Sequence, residues 1–158
     1  MRLAVLRCRL ASASFPWRRV YVLVCEGVAL DDDAVAAASR SLGLRAAVLR
    51  LREPPDPCAV AMSYMYALED YETGEARARV PSLWALMYAS LAGRVSDAIE
   101  ANRGGANLAV ASLSEEGLRE ALSALRLQPG DLGEPLEVSC DPSLLQRLAE
   151  LRVSLLLK

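Results

Sequence analysis

Arg77, Arg79 and Arg94 are the side chains whose type and spacing best suit work on another molecule. A guanidinium presents a planar fork that binds phosphate through two parallel hydrogen bonds. The three flank a predicted helix from Pro81 to Gly93, about 18 Å long at a rise of 1.5 Å per residue. A single phosphate cannot touch both ends of such a helix, whereas an extended single strand of nucleic acid can. The competing reading is three ordinary solvated arginines. Tyr71 and Tyr88 offer rings on which bases could stack, although Tyr88 shares the apolar helix face with Leu83, Trp84, Met87 and Leu91.

Other chemistries find less to work with. The chain has no histidine, which removes the commonest metal ligand and general base and with them Ser-His-Asp and Cys-His nucleophiles. Cys8, Cys25, Cys58 and Cys140 stand 17, 33 and 82 positions apart, a spacing that fits no zinc or redox motif. Each lies in or beside an apolar segment, so the expectation is buried thiols. Asp31-Asp32-Asp33 could hold magnesium, but acids there also suit the cap and first turn of a helix, as do Glu115-Glu116. Arg103-Gly104-Gly105-Ala106-Asn107 could bend its amides around a phosphate. It lacks the lysine and the strand-to-helix order of a P-loop, and so reads as a turn with glycines at positive φ. These residues predict no catalytic group, no metal and no cofactor.

The elements that must position the arginines follow from periodicity. Val20–Cys25 and Ala46–Leu51 read as strands, the second half-exposed, with a helix from Asp31 to Gly43 between them. Asp56-Pro57 caps and opens a helix through Asp70, with an apolar stripe of Val60, Tyr64, Met65 and Leu68. The Pro81–Gly93 helix follows, and another begins at Val95. After a strand at 107–112, Ser112 to Glu115 has capping-box spacing before a helix from Glu116 to Leu127. Leu136–Cys140 alternates like a strand. Asp141-Pro142 opens a helix through Leu151, and Val153–Leu157 is either a closing strand or the last turn of that helix.

About four strands with helices between them predict an α/β (α+β) fold, a small mixed sheet covered by several helices. Three helices in a row from 57 to 103 break Rossmann alternation. The proline-rich break at 53–57 and the turn at 127–131 are too short to be linkers, so residues 1–158 form a single domain. With 53% apolar residues the core is substantial, yet no apolar run approaches the length of a membrane span. Arg7 and Arg9 interrupt the N-terminal apolar stretch before a signal-peptide core forms, so the expected location is cytoplasmic, with no membrane partner.

Residues 1–52 carry nine arginines against four carboxylates, a balance of +5, while the remainder carries −7. That asymmetry favours an anionic partner on one side. Seventeen of the eighteen basic residues are arginine and only four amides occur, Asn102, Asn107, Gln128 and Gln146. A GC-rich genome or a heat-adapted cell gives the same bias. Between Leu144 and Leu157 there are more apolar side chains than one face of a short helix needs, leaving Val153, Leu155 and Leu157 for a partner.

The run Arg77-Ala78-Arg79, Ser82-Leu83-Trp84, Val95-Ser96-Asp97-Ala98-Ile99, Gly104 and the apolar strand Leu108-Ala109-Val110-Ala111 resembles, in that order, the small tRNA-binding, kinase-associated subunit of the KEOPS/EKC complex. That complex makes the threonylcarbamoyl-adenosine modification of tRNA. The resemblance covers residues 61 to 128, with Leu86 where the family usually has a carboxylate. It implies a non-catalytic subunit that binds the unpaired 3′ end of tRNA through Arg77, Arg79 and Arg94. It also implies docking on the complex's small atypical kinase, to which Val153, Leu155 and Leu157 would contribute. The alternatives are a ferredoxin-like domain that binds a regulatory small molecule, and an enzyme using carboxylate or cysteine chemistry.

Overall fold

The computed structural model describes residues 7–16, 18–130 and 132–157. Met1–Leu6, on which most of the signal-peptide reading rests, and Asp131 of the 127–131 turn lie outside them. In chain order the elements are strands β1 (Arg7–Phe15) and β2 (Arg18–Glu26), helix α1 (Asp32–Leu42), strand β3 (Ala47–Leu51), helices α2 (Pro57–Thr73), α3 (Pro81–Ala89) and α4 (Val95–Ala101), strand β4 (Asn107–Ser112), helix α5 (Glu115–Leu125), strand β5 (Leu136–Glu137) and helix α6 (Pro142–Leu156).

The strands form one mixed sheet in the order β3-β4-β2-β1-β5, antiparallel except for the parallel β1–β5 pair. Its centre, β2 and β4, is buried on both faces, which is why Val20–Cys25 and Leu108–Ala111 are nearly uninterrupted apolar runs. One face packs α2, α3 and α6 against Val22, Val24, Leu49 and Ala109. The other packs α1 and α5 against Leu23, Val48, Leu108 and Val110. The sheet is therefore the middle of three layers, and α4 rests on α3.

Local chemistry sets the helix ends. Asp31, Asp56 and Asp141 accept hydrogen bonds from the first amides of α1, α2 and α6, and Pro57, Pro81 and Pro142 occupy first-turn positions where no amide is needed. Gly74 stops α2 in the left-handed region at φ 77°, its amide donating to Asp70 and Tyr71 carbonyls.

Several sequence expectations are corrected. β1 (RCRLASASF) adds a fifth strand that alanine and serine disguise. Its nine residues are held by pairing with all of β2. β3 is buried rather than half-exposed, since α3 packs against it and Ser82 bonds the Val48 amide at its edge. The cap of α5 is Ser114, whose Oγ accepts from the Gly117 amide at 3.0 Å. Ser112, expected to open a capping box, instead donates to the Arg45 carbonyl at 2.7 Å. The predicted strand 136–140 shrinks to two residues, and of the two readings of 153–157 the structure has the helical one, with α6 running to Leu156.

Candidate nucleic-acid interface

Helix α3 ends at Ala89, four residues before Gly93, because Leu91 turns into the left-handed region at φ 52°. Its nine residues span about 13 Å. Arg79 lies two positions before it and Arg94 caps α4 beyond it. Both are exposed, and among the described residues neither side chain has a hydrogen bond or ion pair. Arg77 has another task. Its guanidinium donates to the Leu155 carbonyl at 2.9 Å, satisfying one of the last carbonyls of α6, which lack intrahelical donors. The structure thus engages Arg77 with the C-terminal helix, while Arg79 and Arg94 are unengaged among the described residues. A bond across 78 positions has no signal in sequence spacing.

The stacking candidates are also occupied. Tyr88 is buried in the core and donates to Asp70 Oδ2 at 2.5 Å. Tyr71 donates to the Ala78 carbonyl at 2.5 Å, bracing the connector that carries Arg79.

The C-terminal apolar surplus divides. Leu155, at 3% exposure, belongs to the core, so its expected role as a partner contact is corrected. Val153 and Leu157 are 56% and 81% exposed. With Leu156 they form an i, i+3, i+4 stripe that sequence reading missed because Leu155 interrupts it.

What holds α6 in place is a buried polar cluster that the sequence did not announce. Asp70, at 0% exposure, accepts from Trp84 Nε1 at 2.8 Å, from Tyr88, and from Arg152 Nε and Nη2 at 3.2 and 3.0 Å. Arg152 also reaches Glu69 at 2.8 Å and lies 4.5 Å from the Tyr66 ring centroid. Burial alone would lower the Arg152 pKa, but the charge of Asp70 and the bonds to both carboxylates outweigh it and raise it. Tyr88 is raised far above its ordinary value by burial and by its bond to Asp70. Among the described residues no buried side-chain nitrogen or oxygen lacks a partner, as a buried charge requires.

The expectation of four buried thiols is overturned. Cys8 pairs with Cys25 across the β1–β2 hairpin, and Cys58 at the start of α2 pairs with Cys140 just before α6. The reason is topological: residues 17 and 82 positions apart come within 4.1 and 5.4 Å at their Cα atoms. The acidic clusters do cap and line the first turns of α1 and α5. In the glycine turn only Gly104 has positive φ, at 76°. Gly105 is required for a different reason, since a Cβ there would overlap the Leu51 carbonyl.

A cavity of about 360 Å³ opens between α1, β3, α3 and α4, close to Arg79 in sequence through its lining residue Val80. Arg40, Arg50 and Arg103 border it. Arg50 is engaged with Asp32 and the Gly105 carbonyl, and Arg103 with Glu100. Arg40 is exposed and, among the described residues, unpaired. No described helix is long and apolar enough to cross a membrane. No protein-family model matches the chain, and neither a curated protein nor a solved structure matches it significantly.

Proposed function

We propose that this chain is a non-catalytic subunit of the kind its 61–128 segment resembles. It holds the unpaired 3′ end of tRNA with Arg79 and Arg94, and docks on a small atypical kinase with the Val153, Leu156 and Leu157 stripe. The observation that supports this most directly is that Arg79 and Arg94 stand exposed and, among the described residues, unengaged on either side of α3. Two phosphate-binding forks carried on the segments before and after α3 suit a flexible single strand better than a compact anion.

In a cytoplasm the two disulfides ask for an oxidising or heat-adapted cell. The arginine-rich, amide-poor composition fits the latter.

The test is tRNA binding across salt concentrations. Each phosphate contact on a single strand contributes roughly 0.7 to the slope of log affinity against log salt, so Arg79→Ala with Arg94→Ala should flatten it by about 1.4. Removing the 3′ tail should weaken the wild type strongly and the double variant little further. Equal affinity of the wild type for full-length and tailless tRNA, or an unchanged slope, rejects the reading.

A further inference from the structure

Among the described residues β3 is an edge strand, bonded only to β4. Alternation along an antiparallel pair turns the amides and carbonyls of Ala47, Leu49 and Leu51 toward β4 and those of Val48, Arg50 and Arg52 outward. Part of this outer edge is sealed by side chains. The Val48 amide donates to Ser82 Oγ at 2.9 Å, the Arg52 amide donates to Asn102 Oδ1 at 3.1 Å, and the Arg52 carbonyl accepts from Asn107 Nδ2 at 3.1 Å. Between the seals the Val48 carbonyl, the Arg50 amide and the Arg50 carbonyl have no protein partner among the described residues.

Val48 and Arg50 line the cavity described above, with Val35, Val80, Leu83 and Leu86 as apolar walls and Arg40 at the rim. An added β-strand needs a row of donors and acceptors. The seals leave only three groups, the Val48 acceptor, the Arg50 donor and the Arg50 acceptor, a row too short for a strand, and the first two suit the edge of a small planar ring. A heterocycle with an amino group next to an imine nitrogen presents the complementary donor and acceptor, and the unpaired Arg40 suits a phosphate attached to it.

We propose that this cavity binds an adenine nucleotide. The exocyclic amino group donates to the Val48 carbonyl and the Arg50 amide donates to ring N1. The purine lies along Leu83 and Leu86, and Arg40 takes the phosphate. The site is separate from the proposed tRNA contacts, since neither Arg79 nor Arg94 lines it.

Calorimetry and thermal shift with AMP and IMP test this on the intact protein. IMP has the same size and charge but reverses the edge, setting an oxygen against the Val48 carbonyl and an N–H against the Arg50 amide. AMP should raise the melting temperature and bind at least about tenfold more tightly than IMP. Arg40→Ala should weaken AMP by about tenfold and leave uncharged adenosine unchanged. Leu83→Trp should fill the cavity and abolish binding. Should that variant fail to fold, the AMP/IMP ratio on wild type still decides. Displacement of AMP by a short RNA ending in adenosine would assign the pocket to an RNA end, and failure to displace would assign it to the free nucleotide. No AMP binding at millimolar concentration, or equal binding of AMP and IMP, overturns the proposal.

Discussion

The seam where α6 meets α2 and α3 and the outer edge of β3 both contain arginine and exposed or buried polar groups, yet they are built on opposite rules. In the seam, Asp70 accepts from three side chains and Arg152 donates to two carboxylates, so the buried charge of Asp70 is matched within the chain. At the β3 edge, Ser82 and Asn102 satisfy part of the backbone and stop, leaving a gap beside an unpaired Arg40. A closed polar network fixes architecture. Polar groups left open around an apolar cavity are what a ligand can use.

The sharpest way to break the comparison is to open the seam. Arg152→Met keeps most of the side-chain volume but leaves the Asp70 carboxylate buried and uncompensated, and should cost about 3–5 kcal/mol of unfolding free energy. Adding Asp70→Asn should recover part of the loss, since an amide is less costly to bury than an unpaired charge. Arg79→Ala and Arg94→Ala, by contrast, should each stay within about 0.5 kcal/mol. Urea titrations of the four proteins decide it. An Arg152→Met protein as stable as wild type would mean that the seam is not closed as described.

The next largest effect is covalent. Cys58→Ala with Cys140→Ala opens a cross-link spanning 82 positions and should cost about 2–4 kcal/mol. The Cys8–Cys25 bridge closes only 17 positions, so loop-closure entropy predicts a loss smaller by about 1 kcal/mol for its removal. Hydrogen exchange should also separate the two regions. Loss of Cys58–Cys140 should speed exchange in α6 while leaving the β3 edge close to wild type. Thiol titration of protein purified without reductant should find none of the four cysteines free, and stoichiometric thiols would remove this contrast.

How much of each region the sequence disclosed follows the range of the forces involved. Elements marked by local chemistry were legible: Asp31, Asp56 and Asp141 announced their helices, and the apolar runs of β2, β3 and β4 announced three neighbouring strands of the sheet. β1 was not, because serine and alanine carry little strand preference and only the pairing with β2 makes them extended. Exposed Arg79 and Arg94 were legible as candidates, since nothing distant claims them. Arg77 and Leu155 have contacts that the sequence did not announce, for one shared reason: α6 folds back onto the connector before α3, engaging the Arg77 guanidinium and burying the Leu155 side chain. The Asp70 cluster and both disulfides join residues 14 to 86 positions apart, beyond any periodicity. The β3 cavity draws on four elements and leaves no motif at all.

The smallest effect concerns tyrosines, and it separates a closed interior from an open edge by pH. Burial pushes the Tyr64 phenol from 10.0 up to about 12, a shift that Arg18 and Ser112 only partly offset, and its hydroxyl donates to the Leu44 carbonyl at 2.7 Å. Tyr71 is likewise raised to about 12 by burial. In the unfolded chain both ionise near 10, so below that pH the two states hold the same protons and stability is unaffected. Between about pH 10 and 12 the unfolded chain releases protons that the native protein still holds, so stability falls as pH rises through this window. The urea midpoint should therefore decline from pH 9.5 to pH 11.5, and Tyr64→Phe, though less stable at neutral pH through loss of one hydrogen bond, should decline less steeply. If the Tyr64→Phe curve runs parallel to wild type, that hydroxyl is in contact with water, and the inner layer is more open than the structure places it.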